Sequence, residues 1–77
     1  MAIIEELREI IVEHMGCDPA SITEDTNITD DIGCDSLDMV EMLMNVENKY
    51  GFEFDNAEAI DIKTVGDGVK LIEAKQN

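Results

Sequence analysis

Basic side chains are scarce in this sequence: five Lys and Arg stand against 19 Asp and Glu, a formal charge of −14 over 77 residues. Phosphate backbones and anionic headgroups are bound by clustered Lys and Arg. Arg8, Lys49, Lys63, Lys70 and Lys75 are too few and too scattered for that, which excludes nucleic acid and membrane surfaces as partners. Long hydrophobic runs are missing as well. None exceeds four residues, and Glu5 and Glu6 occupy the stretch where a secretory signal is basic and then apolar. These absences predict a cytoplasmic protein with no stable membrane insertion. Cys17 and Cys34 are too few for a disulfide framework and read as free thiols.

What is present points to a folded domain. A hydrophobic fraction of 44% is too high for an acidic disordered tail. A chain this short makes one domain, spanning 1–77, and hides only ~60% of the surface its unfolded form exposes, which leaves little room for a deep catalytic site.

The dominant pattern is helical. Ile3, Ile4, Leu7, Ile10, Ile11 and Met15 recur at three- and four-residue steps, and the helix they define stops at Gly16, with Pro19 blocking continuation. From Asp18 to Asp35 the apolar residues thin to Ile22, Ile28 and Ile32, which predicts a long loop with hydrophobic anchors. Asp35 and Asp38, at capping-box spacing, open a second helix near Asp35 or Ser36 that runs to Gly51. Asp55 and Glu58 repeat the spacing ahead of a short third element containing Ala59, Ile60 and Ile62. Thr64 and Asp67 start the last helix, with Val65, Val69 and Ile72 on one face. Phe52-Glu53-Phe54 alternates but is too short to build a sheet. The predicted fold is all-α: a bundle of three main helices plus one short helix, with a long loop between the first and second.

The second helix carries two apolar groups. Met39, Met42, Leu43, Val46 and Tyr50 form the wider, core-facing one; Leu37, Val40 and Met44 lie about 140° away, bordered by Glu41, Glu47 and Asn48. One core cannot cover both. The narrower stripe reads as a docking surface for something basic and partly apolar, unless the long loop folds over Leu37 and Val40.

Metal and catalytic motifs fail on detail. Asp25, Asn27 and Thr29 alternate as calcium ligands would, but the position that needs Gly is Asp30 and the one that needs Glu is Ser36. Cys17, Cys34 and His14 lack the paired spacing of a zinc site. His14, near the end of the first helix, reads as a solvated or capping residue, and no base pairs with Ser36 or Cys34, so no catalytic residue is assigned.

Ser36 remains, at the first turn of an acidic helix. The run Ile32-Gly33-Cys34-Asp35-Ser36-Leu37-Asp38, followed by Val40-Glu41, resembles the signature of the acyl carrier proteins, and the order of helices extends the resemblance along essentially the whole chain. The resemblance implies a non-catalytic carrier. A phosphopantetheinyl transferase would attach 4′-phosphopantetheine to Ser36, flanked by Asp35 and Leu37, and the thiol of that arm would hold acyl groups as thioesters. Leu37, Val40, Glu41, Met44 and Glu47 match the family's partner-recognition surface, which meets fatty-acid synthesis enzymes through their basic docking patches. Ile28, Met39, Val46, Phe54, Ala59 and Ile62 match its shelter for the acyl chain between the second and third helices. The protein is expected to be a monomer. A carrier of a polyketide, aminoacyl or other pathway, and an unmodified acidic adaptor, are the alternatives. The chain departs from the family pattern at Cys34, where Ala is usual, at Asp55, where Pro is common, and at Asp61, where Lys is common.

Overall fold

A computed structural model describes residues 2–76, so the two ends of the predicted 1–77 domain lie outside the described residues. Four α-helices follow one another: α1 (Ile3–Met15), α2 (Ser36–Tyr50), α3 (Asn56–Ile60) and α4 (Val65–Gln76), with one 3₁₀ turn at Pro19–Ser21. All four occupy the predicted places, except that α3 ends at Ile60 and leaves Ile62 outside it, and no strand occurs among the described residues. The alternating Phe52 and Phe54 form an aromatic row with Tyr50 instead, with ring centroids 5.8 and 5.2 Å apart.

Helix ends follow the chemistry of their capping residues. α1 and α2 stop where Gly16 and Gly51 take left-handed backbone angles, and each glycine N–H returns to a carbonyl four residues back at 2.8 Å. Asp55 and Glu58 close a reciprocal capping box on α3, which lets a helix of only five residues form. The carboxylate of Asp67 accepts the N–H groups of Lys63 and Thr64, and Thr64 Oγ1 accepts from the Asp67 N–H, at the start of α4.

The core is a single cluster in which α1 packs against both α2 and α4. Leu7, Ile10 and Ile11 from α1 meet Met42 and Val46 from α2 and Val65, Val69 and Ile72 from α4. The long loop is tied down rather than loose. Ile22 and Ile28 are buried, and the Arg8 guanidinium donates from two nitrogens to the Ile22 carbonyl at 3.2 and 3.1 Å. The one buried polar side chain among the described residues, Thr26, is fully occupied: its hydroxyl accepts from Thr23 N–H at 2.8 Å and donates to the Ser21 carbonyl at 3.2 Å. The loop also pairs with the segment entering α4. Ile28 N–H donates to the Lys63 carbonyl, Val65 N–H to Thr26 and Gly66 N–H to Glu24, a short backbone ladder that hydrophobic periodicity does not announce.

Core burial is thin for a chain of this size, so single apolar truncations are costly. Ile11, 1% exposed at the centre of α1, is the most exacting case. Ile11→Ala is expected to remove about 2–5 kcal/mol, against the ~5 kcal/mol total of a small domain. Thermal unfolding followed by circular dichroism should show a melting temperature lowered by about 10 °C or more, and a melting temperature unchanged from the native chain would contradict this packing.

Candidate functional site

The N-terminus of α2 is held by the two residues that lead into it, by a cap of its own, and by a contact from α1. Gly33 takes a left-handed turn (φ 85°) that most side chains resist, and its N–H donates to the Thr29 carbonyl at 3.1 Å. Cys34 then buries its thiol in the core, 3% exposed, while its N–H donates to the Ile28 carbonyl. With the residue before it pinned inward, Asp35 caps the helix. Its Oδ1 accepts the Asp38 N–H at 2.9 Å and Asp38 Oδ2 accepts the Asp35 N–H at 3.2 Å. Ser36 is thereby the first helical residue, and it is exposed to solvent.

The last restraint comes from α1. His14 Nε2 lies 2.9 Å from Asp38 Oδ1 and 3.4 Å from Glu41 Oε2, so the imidazole links α1 to two acids one turn apart on α2. This corrects the reading of His14 as a solvated or capping residue: its side chain is only 19% exposed and it is an interhelical tie. The His14 hydrogen bond, and after it the Asp35 N–H, holds the Asp38 carboxyl below its ordinary value of 3.8. Cys34 moves the other way. Burial first, then the negative charge of Asp38, pushes its thiol up to about 11, so it is an inert core group rather than a second nucleophile.

The outer stripe of α2 stays uncovered. Leu37, Val40 and Met44 are 66%, 53% and 54% exposed, so the long loop does not fold over them, and Glu41 is exposed beside them. Glu47 behaves differently from its neighbours. It is half-buried and its Oε2 accepts the Phe54 N–H at 2.8 Å, which makes it a strut for the segment between α2 and α3. Ile60 on α3 is 76% exposed, an apolar surface residue that sequence patterning grouped with the helix and did not single out.

Behind α2 lies an apolar cavity of about 30 Å³, room for one or two water-sized bodies. Of the six residues that the family resemblance matched to an acyl shelter, Ile28, Met39, Val46, Phe54 and Ile62 line this cavity and Ala59 does not. Its remaining wall comes from Met42 and Leu43 of α2 and from α1 and α4, through Leu7, Ile11, Gly68 and Ile72, so it sits deeper in the bundle than a shelter between α2 and α3. No sequence signal separates these residues from ordinary core, except that Gly68 places a glycine inside a helix. Met39 lines the cavity only three residues after Ser36, about 4.5 Å along the helix axis.

The start of α2 thus presents an exposed hydroxyl on a capped helix, one turn from a residue that lines an apolar cavity. Comparison with known proteins gives the family. The family profile described as the phosphopantetheine attachment site matches residues 5–72. The acyl carrier protein of Wolinella succinogenes is 40% identical over 76 residues, covering 99% of this chain and 100% of that one. That of Caulobacter vibrioides is 44% identical over 73 residues, covering 95% and 94%. A solved acyl carrier protein from Enterococcus faecalis superposes with a TM-score of 0.80 at 29% identity, covering 94% of this chain and 91% of that one. The chain belongs to the phosphopantetheine-bearing acyl carrier protein family, and 4′-phosphopantetheine is its cofactor.

The linkage of His14 to Asp38 has a direct consequence in acid. Because the folded Asp38 carboxyl lies below 3.8, it contributes stability at neutral pH that is lost as the pH falls through that depressed value. His14→Ala is expected to move the Asp38 midpoint upward toward 3.8, read from its carboxyl carbon shift in an NMR titration. An unmoved midpoint would show that the tie is not made in solution.

Proposed function

We propose that Ser36 is the residue that carries 4′-phosphopantetheine, and that the loaded protein delivers acyl intermediates to fatty-acid synthesis enzymes in the cytoplasm. The observation that carries the reading is the exposure of Ser36 on the first turn of α2, three residues before Met39, which lines an apolar cavity. When attached, the arm supplies a thiol that holds the acyl group as a thioester. The chain's own residues do the rest. Asp35 and Asp38 fix the helix start, and Leu37 stands beside Ser36 for a transferase to grip. Backbone N–H groups of the first turn and the helix dipole favour the phosphodiester at this position, while Asp35 and Asp38 oppose it. The activating base therefore belongs to the transferase: His14, the sole histidine, is engaged with Asp38 and Glu41.

The wholly apolar cavity lining favours hydrocarbon chains over aminoacyl cargo. It also supports a transient guest, since Met39 and Met42 in its wall repack readily. Delivery uses the exposed stripe. Leu37, Val40 and Met44 supply apolar contact and Glu41 its charge, while Glu47 acts by shaping the segment next to α3. A charge of −14 steers the whole molecule toward basic enzyme patches and can raise encounter rates ~10 to 10³-fold at low salt. Residues 1–77 act as one monomeric carrier domain.

Incubation with coenzyme A and a phosphopantetheinyl transferase should add the mass of one prosthetic group, and Ser36→Ala should gain none. An unmodified native chain, or a variant that still gains the mass, would overturn the assignment. Glu41→Lys is expected to slow loading about tenfold at low salt, with the deficit shrinking as salt rises. A deficit independent of salt would contradict electrostatic steering.

A further inference from the structure

α4 contains two glycines where helix propensity favours alanine, and they serve different purposes. A Cβ on Gly66 would stand 2.9 Å from the backbone oxygen of Glu24, an atom fixed by the hydrogen bond from Gly66 N–H itself. Close backbone approach explains that glycine completely. It does not explain Gly68, whose Cβ would meet only the tip of Leu7, at 3.1 Å from Cδ2, and Ile62 Cγ2 at 4.0 Å. The tip of a leucine can move by the few tenths of an ångström required. What a Cβ would remove is space, because Gly68 and Leu7 both line the apolar cavity.

The lining is unevenly exposed. Met39, Leu43, Phe54 and Ile62 are half-buried, and Met39 follows Ser36 by three residues; Ile11 and Ile72, each 1% exposed, together with buried Gly68, form its most enclosed wall. A chain tethered near Ser36 and threaded past Met39 advances toward the seam of α1 and α4, where Gly68 faces Leu7.

We propose that Gly68 is a specificity-determining residue that, opposite Leu7, sets how long an acyl chain this protein can shelter. The proposal rests on the carrier reading above, with the cavity as the place of shelter. Each methylene taken out of water raises the melting temperature by roughly 3–6 °C, until the chain reaches the end of the space available. Further methylenes stay in solvent and add nothing. The chain length at which the increments cease is therefore a ruler for the cavity.

The test uses the full chain loaded with straight acyl groups from butyryl to dodecanoyl, each compared with its own unacylated holo form, so that changes in basal stability cancel. In the native protein the melting temperature should climb with length and then level off. In Gly68→Ala the plateau should arrive at a shorter chain length, although replacing a helical glycine by alanine favours the helix itself. Adding Leu7→Val to Gly68→Ala removes the Cδ2 that the new methyl meets and should move the plateau back toward the native length. Coincident plateaus in the native chain and Gly68→Ala would overturn the role of Gly68 while leaving sheltering intact. A flat profile at every length in the native protein would overturn the sheltering on which the proposal stands.

Discussion

The reciprocal cap between Asp35 and Asp38 is the interaction on which the rest of this structure depends. It decides which residue is the first of α2, and so which side chain stands at the positive end of the helix dipole. A shift of one residue in the register of α2 would turn the stripe of Leu37, Val40 and Met44 by about 100° relative to the core. The cap does not act alone. Gly33 turns the chain, Cys34 anchors it in the core, and His14 holds the second oxygen of Asp38 from across the α1–α2 contact. Asp38 thus serves two bonds at once, one along its own helix and one to its neighbour, which registers α2 against α1 as well as starting it.

α2 must also satisfy two demands that compete in a small domain. Its inner face supplies Met42 and Val46 to the core, and its outer face leaves three large apolar side chains in water. The unpartnered stripe contributes nothing to folding, and like charges over a chain of −14 oppose compaction. Two of the five basic side chains bind distant parts of the structure together. Arg8 holds the long loop through the Ile22 carbonyl, and Lys75 joins α4 to α3 through Glu58 at 2.7 Å while lying 5.9 Å from the centre of the Phe54 ring. A core that is lightly filled behind α2 fits a protein that exchanges its own packing for that of a guest.

Much of this was legible in the sequence because helix boundaries are written locally. Capping spacings at Asp35, Asp55 and Thr64 and the terminal glycines marked every helix, and angular position separated the two faces of α2. Contacts between distant segments were not legible. Periodicity reports the face on which His14 lies but not the acids opposite it, and nothing local tells Glu41, which is open to solvent, from Glu47, which accepts a backbone N–H seven residues away. The cavity illustrates the same limit. Leu7, Ile11 and Ile72 belong to ordinary apolar stripes, and only the packing of three helices shows that they border a void while Ala59 does not. The bonds from the long loop to the residues before α4 are backbone bonds, which carry no side-chain signature.

The account turns on one hydroxyl being distinguished from all others in the chain. The sequence has two serines: Ser21 donates its hydroxyl to the Asp18 carbonyl at 2.6 Å, whereas Ser36 stands exposed on the capped turn of α2. Fragmentation mass spectrometry of the protein recovered from cells measures the distinction directly. The prosthetic group should be found on Ser36 alone. Its appearance on Ser21 or on any threonine would contradict the claim that the start of α2 selects the site.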